Sequence, residues 1–518
     1  VLGSEMGKRR EKWLLAVALL GISLLYFLLT GDLGYVEFRD SPSYMSPTLT
    51  EGVLWLYPLF LNSLRIVAGE ISYLYWAAAV QSTFAALSVT VFVLYIGQTF
   101  RLKTWEYALI WLATLLPYST ELPAYLITHS IQTESLTFSF FYWYAICACE
   151  VLRCVKWKAL AGMYAEAFLM ASTRPQMILL FGLSGLLLIY VIVKAGGKSK
   201  ITRIVFGIML CGFLSICGLL VTYKIRTLYM ERVTPFFLDD NAIVASGGVK
   251  GDADDVPNDS NFEKVQGGAL REAEELKTAV QSFERRRSFI IPDQLGSAVF
   301  CRAFIEADQE DEAAFTDDDE RTAFVRIYQE ADSRQMLYQY AQPGLKMWTD
   351  LTQNKLYEIG TREIKAYLRD NYPEYTEEQI DVRFGEIRTG ITLKMLSKHF
   401  GRFCYHCFRL MIPGWIACVF FNIYSIYLFC HVFVLFLYIS AIGMAIWILK
   451  KESDCREEAR FLLASVCSCF LFVVIVNIVF FGMQRYFIYN MGVFWCAYYL
   501  NFRIIAPRFW RHLRRLEG

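Results

Sequence analysis

Apolar residues in this chain gather into long unbroken runs rather than alternating or recurring on one helical face. Such runs cover 13–30, 72–98, 105–121, 134–152, 157–173, 176–194, 204–224, 425–449, 460–482 and 490–506. Each approaches the ~20 residues that an α-helix needs to cross a hydrocarbon core of about 30 Å. Two further stretches are apolar but shorter or mixed. WLYPLFLNSLRIVAG (55–69) carries Arg65, and the stretch around 399–424 is basic first and apolar later. Both read as amphipathic helices lying on a membrane surface.

One long segment breaks the pattern. Residues 225–409 hold 33 acidic and 24 basic residues, a net charge of −9. FEKVQGGALREAEELKTAVQSFERRR (262–287) and TREIKAYLRDNYPEYTEEQIDVRFGEI (361–387) have helical patterning. ASGGVKGDADDVPNDSN (245–261) has the composition of a mobile loop. The pattern predicts an α-helical polytopic membrane protein with about ten transmembrane helices and a large, mainly helical extracytoplasmic domain. Its parts are a seven-span module (1–224), the acidic domain (225–409), and a three-span module with a basic tail (410–518).

Composition agrees: 55% of the 518 residues are hydrophobic and only 19% charged, too apolar for an ordinary soluble protein. Charge adds orientation. KRREK (8–12), RLK (101–103), RCVKWK (153–158), KAGGKSKITR (194–203), KKESDCREEAR (450–460) and RIIAPRFWRHLRR (503–515) put 22 basic residues on one side. By the positive-inside rule that side is cytoplasmic, with both termini, and the acidic domain faces away. These loops account for the basic residues, so nothing points to nucleic acid. The opening VLGSE reads as an added leader, with Met6 the natural start and the run after Trp13 an uncleaved first span. Most of the 14 cysteines lie inside apolar runs, where they act as small hydrophobes.

Five basic residues fall on the other side: Arg39, Arg65, Arg174, Lys224 and Arg485. A charge at that depth is costly and usually has a partner or a task. Several guanidinium groups at one depth suit a phosphate, which they bind bidentately. The acids at this face are Asp32, Glu37, Asp40, Glu121 and Glu134. Asp40 is placed to deprotonate a hydroxyl, and Glu134 to position one. Glu166, two turns below Arg174, reads as a core carboxylate satisfied by a neighbouring helix. CYHC (404–407), with His399 nearby, lacks the second ligand pair of a metal site and reads as two ordinary cysteines. No phosphate loop follows Gly247-Gly248, and no G-x-S-x-G is present.

These residues resemble the motifs of the GT-C superfamily of membrane glycosyltransferases, in its bacterial members. In order, they are Asp40-Ser41-Pro42-Ser43-Tyr44 after the first span, Tyr57-Pro58-Leu59-Phe60, Thr133-Glu134-Ser135-Leu136, Arg174-Pro175 and Arg485-Tyr486. The late motif lacks the proline that usually follows it. The resemblance covers about 1–225 and 400–506, not the acidic domain. It implies a GT-C-like core that moves a sugar from a polyprenyl-phosphate donor to an acceptor hydroxyl on the extracytoplasmic face of the plasma membrane. The acceptor would be a glycan, lipid or protein. By the resemblance Asp40 is the base, and Arg174 and Arg485 hold the leaving phosphate, with Lys224 or Arg402 helping. Arg39, Ser41, Tyr44, His129 and Tyr486 would contact substrate, and aromatics such as Tyr57 would stack on sugar. A single displacement with inversion suffices. No cofactor is firmly implied, and a divalent cation stays an open alternative. A transporter or flippase of a lipid-linked or anionic substrate would use the same arginines without a base. A membrane scaffold with a partner-binding domain explains the acidic segment but not the arginines.

Overall fold

The computed structural model describes residues 2–29, 34–37, 41–45, 54–119, 126–154, 156–194, 200–232, 293–340, 356–420, 427–479 and 487–516. Asp40, Arg39, Arg485 and Tyr486 lie outside them, as do Asp32, Glu121 and the segments 245–261 and 262–287. The described residues are overwhelmingly helical. Among them there is no strand, only one bridge between Val36 and Ser130.

Among the described residues, seven helical stretches are long and apolar enough to cross a membrane: Arg10–Leu29, Tyr73–Thr99, Glu134–Cys154, Pro175–Lys194, Ile204–Arg226, Leu428–Lys451 and Ser453–Asn477. This is the architecture of an α-helical membrane protein. The other three expected spans are helical but differ in kind. α5 (Thr104–Leu115) is short and continues as a 3-10 turn to Ser119. α7 (Trp157–Thr173) rises about 26 Å. The last helix, α17 (Tyr489–Leu516), is apolar at first and strongly basic from Arg503 onward.

The remaining elements of the bundle are α1 (Leu2–Leu29), α2 (Ser41–Met45), α3 (Leu56–Ala68), α4 (Tyr73–Thr99), α6 (Glu134–Cys154), α8 (Leu179–Lys194), α9 (Lys200–Arg232), α15 (Tyr427–Lys451) and α16 (Arg456–Val479). α4 is central. It packs against α1, α3, α5 and α6, and small residues allow this, with Ala77, Ala78, Ala85 and Ala86 all buried. Gly97 lets the Tyr107 ring of α5 lie where a Cβ would come within 2.2 Å. α1 and α9 leave most of their apolar surface outward, including Trp13, Leu14, Val17, Phe206, Met209 and Phe213. Helices all apolar on the outside suit contact with lipid rather than water.

One end of this bundle is basic. There Arg503 holds Glu106 (3.3 Å) and the Phe100 carbonyl (2.9 Å). Arg153 bridges Glu150 (3.0 Å) and Glu457 (2.7 Å), Lys156 joins Glu150 (2.8 Å), and Arg508 meets Glu452 (2.7 Å). Tyr95 and Tyr499 donate to Glu150 and Glu106. The basic loops of the sequence thus meet the ends of α4, α6, α16 and α17.

Between the two bundle segments stands a second, charged helical domain. α10 (Asp293–Phe304), α11 (Asp318–Ser333), α12 (Leu356–Asn371) and α13 (Glu377–Lys398) enclose their own core, with Phe300, Phe304, Phe324, Ile327, Ile364, Leu368, Ile387 and Ile391 buried. The pattern at 361–387 is two helices, not one. Pro373 interrupts it, and Thr376 starts the next helix by a reciprocal cap with Gln379.

α14 (Phe400–Ala417) connects this domain to the bundle. The sequence suggests a surface-lying helix, and the structure differs. Its first half is exposed, at Phe400, Tyr405 and Phe408. Its end is sunk in the bundle, with Ile416, Ala417, Cys418 and Val419 all at most 1% exposed. The expected boundary at 409/410 falls inside this helix.

Candidate functional site

At the bundle end opposite the basic network, the chain from Leu126 to Glu134 forms the floor of a polar centre. Its backbone is fixed from several sides. Val36 exchanges bonds with it, its N–H to the His129 carbonyl and its carbonyl from the Ile131 N–H, both 2.9 Å. Gln81 of α4 donates to the Thr128 and Ser130 carbonyls (3.0 and 3.3 Å) and accepts from Tyr57 of α3 (2.8 Å). Ser41, first residue of α2, donates to the Ile131 carbonyl at 2.9 Å. The residue that follows Asp40 is thereby tied three positions from Glu134.

Glu134 opens α6 and is 1% exposed. It forms an ion pair with Arg174, which is 6% exposed. Arg174 ends α7 in extended backbone before Pro175, so its side chain turns inward instead of continuing the helix. The same Arg174 Nη1 donates to the Tyr489 hydroxyl at 3.0 Å. With its amide oxygen turned inward, Gln176 accepts from Arg174 Nη2 and Nε at 3.0 and 2.6 Å. All three guanidinium nitrogens, Nε, Nη1 and Nη2, thus donate to a neighbour. Thr133 donates to the other Glu134 oxygen at 3.2 Å. One turn below, the Thr137 and Thr173 hydroxyls meet at 3.1 Å. Tyr489 packs edge-on to Phe138.

On the segments that carry this pair, some buried polar groups find no partner among the described residues. Thr128 Oγ1, Gln132 Nε2 and Ser172 Oγ are buried without a hydrogen-bond partner. Buried polar atoms are ordinarily paired, so each such exception is a place that suits water or a polar ligand.

The structure brings Glu134 and Arg174 together, with Tyr489 on Arg174 and Ser41 on the Ile131 carbonyl; Asp40 and Arg485 lie outside the described residues. Other expected site residues are committed elsewhere. His129 is 2% exposed, with its ring nitrogens against the Gly34 and Phe27 carbonyls at 3.0 and 2.7 Å. In the structure it acts as a strut between the Leu126–Glu134 segment and the end of α1. Ser41 is buried and holds backbone. Tyr57 is fully buried against Gln81, so its ring offers no face to a sugar; Tyr44 rests edge-on against it. Lys224 is exposed on α9. Arg402 is exposed on α14 and lies over the Tyr338 ring (6.0 Å), in the charged domain. Neither has a described contact with Glu134 or Arg174. Arg65, another of the misplaced cations, pairs with Glu70.

Tyr489, Gln176, Gln132 and Ser172 were not singled out from the sequence. Only their nearness to the Arg485, Arg174 and Glu134 motifs could have drawn attention to them. In the charged domain, Asp308, Asp311 and His399 place ligand atoms within 4.8 Å of one another. Asp308 and Asp311 already cap each other's backbone, and Lys398 also pairs with Asp311. The group reads as a lock at the α13–α14 joint. Cys404 and Cys407 of α14 are free thiols, the first exposed and the second buried.

No protein-family model, curated protein or solved structure matches this chain. The chemistry of the site is therefore argued from its residues.

Proposed function

We propose that the protein is a membrane glycosyltransferase that moves a sugar from a polyprenyl-phosphate donor to an acceptor hydroxyl. The observation that carries this reading is the buried Arg174–Glu134 pair, with Arg174 also bonded to Tyr489 and with Gln132 and Ser172, close to the pair in sequence, each leaving a buried polar atom unsatisfied. A guanidinium held in place by its neighbours needs no reorganisation when negative charge develops on a leaving phosphate.

The arrangement also divides roles between the two acids. Glu134 is occupied by Arg174 and Thr133. It suits a group that orients Arg174 and, together with Gln132, a substrate hydroxyl. Asp40 is then the base. A donor phosphate would compete with Glu134 for Arg174, and Arg485 would supply the charge that lets both anions share the site. Displacement at the anomeric carbon by one activated hydroxyl gives inversion. No step requires a metal. The GT-C resemblance, the extracytoplasmic placement of the site and the plasma-membrane location belong to this proposal. Its acceptor class is a glycan, lipid or protein.

The test is release of polyprenyl phosphate by the full chain in nanodiscs, offered a panel of polyprenyl-phosphate sugars. Asp40→Asn is expected to lower release by about 10²- to 10⁴-fold without changing stability. Release from no donor, with the lipids still bound, would instead favour a carrier of the same lipid phosphate.

A further inference from the structure

Glu166 departs from what its sequence context suggests. It is half-buried near the middle of α7, about 13 Å along the axis from Trp157 and about 12 Å from Arg174. It shares a helix face with Met163, Met170 and Thr173, all buried, so it turns toward the interior of the bundle. Its Oε2 has no hydrogen-bond partner, and no neighbouring charge compensates it among the described residues.

Facing it on α6 is Cys147, whose Sγ lies against Gly162, one turn before Glu166 and 3.1 Å from where a Cβ would sit. Cys147 is under the influence of both Glu166 and Glu150. Glu150 is one turn further along α6, at the basic end, with Tyr95, Arg153 and Lys156 around it. On the other elements packed against α7 the titratable groups are Tyr190 and Lys194 of α8, Cys211 (beside Tyr164 of α7), Cys217, Lys224, Arg226 and Tyr229 of α9, and Tyr57 and Arg65 of α3. Of the cations among these, Lys194 lies 5.6 Å over the Tyr190 ring and Arg65 pairs with Glu70, and Glu166 shows only the effect of burial. Toward the other end of the bundle, α7 presents only Met170 on this line before Thr173.

We infer that Glu166 is an intramembrane proton-binding site, loaded and unloaded from the basic end past Cys147. A carboxylate ion in an apolar surround with no partner is the costliest form of this side chain. Adding a proton removes the charge and supplies a donor. The step is a single proton gained or lost at one carboxyl oxygen, exchanged with water at the Glu150 end, with no change of oxidation state. Its function does not depend on sugar transfer. A carboxyl of this kind ties whatever motion α6 and α7 make to the pH of one compartment.

The full chain in nanodiscs, treated with dicyclohexylcarbodiimide across a range of pH, tests this. The reagent is apolar and reacts with a protonated carboxyl, which adds across one C=N bond and rearranges to a stable N-acylurea. Mass spectrometry should place the adduct on the Glu166 peptide, with none there in Glu166→Gln. Labelling should fall about tenfold per pH unit above its midpoint. A folded protein with Glu166 unlabelled, or labelled equally at every pH, overturns the inference. So does protection by sodium or potassium chloride that choline chloride does not give, since that makes the site one for a metal cation. The assay reads no transfer, so it can fail while the transferase reading stands, and the reverse.

Discussion

The two ends of the bundle both carry charge, and they treat it oppositely. At the basic end, Glu106, Glu150, Glu452 and Glu457 each hold a cation, several are shared, and most of these side chains keep contact with solvent. At the other end, among the described residues, the Arg174–Glu134 pair is almost completely buried, and buried polar atoms on the same segments have no partner. Distributed half-exposed charge secures helix ends cheaply and tolerates loss. A buried pair surrounded by unsatisfied donors adds little net stability and costs much when broken. The second arrangement is hard to explain as packing, which is why the function is placed there.

The largest expected effect tests this contrast directly. Arg174→Met or Glu134→Gln leaves a buried polar group facing a lost partner, at a cost of about 3–5 kcal/mol. Arg508→Met at the basic end should cost about 0–1 kcal/mol. Denaturant titration in mixed micelles measures both, and equal losses would erase the distinction between the ends. Replacing the pair together, as Arg174→Met with Glu134→Leu, should restore most of the stability while transfer stays absent. Recovery of transfer would remove the pair from the chemistry.

Tyr489→Phe is the intermediate case. It deletes one hydrogen bond to a charged group, worth about 1.5–3 kcal/mol, and leaves the ring packed on Phe138. If Tyr489 serves to aim Arg174, donor binding should weaken more than unfolding shifts. Both measured on one preparation separate aim from support.

The smallest effect lies in the charged domain. Burial works to raise the Asp311 carboxyl, but hydrogen bonds from Lys398, the Asp308 backbone and His399 outweigh it and hold it below the ordinary range. Its contribution to stability is therefore complete above the unfolded value of about 3.9 and is lost as pH falls through the lower folded value. Limited proteolysis between α13 and α14 should quicken in that acid window, and Asp311→Asn should flatten the response. A bundle equally sensitive in the same window would show that the lock is not local.

Much of this arrangement was legible beforehand, for a physical reason. A span needs a long apolar run whatever its neighbours, so the seven long helices stand out one by one. α5 is shorter than the other expected spans and α17 is basic in its second half, so run length alone says least about these two. The coincidence of Glu134 and Arg174 at one depth was visible, but their ion pair was not, since depth fixes one coordinate of three. The internal bonds of His129 and Tyr57 were not legible, because a polar side chain near a motif looks the same in sequence whether it meets a ligand or another part of the fold. Glu166 misled in the opposite sense: a carboxylate inside a bundle is expected to be paired, and no local sequence feature reports that a partner is missing.

α14 begins among the charged helices and ends among the apolar ones, with Gly414 pressed against Asn477 and against Phe487, two residues before Tyr489. For protein engineering this removes the obvious seam. A fragment cut at residue 409 would split a single helix and leave an apolar stump on one piece and an unfilled slot in the other. Exchange of the charged domain between homologous chains would have to carry α14 with it. The unit that recombines is therefore larger than the unit that folds around its own core.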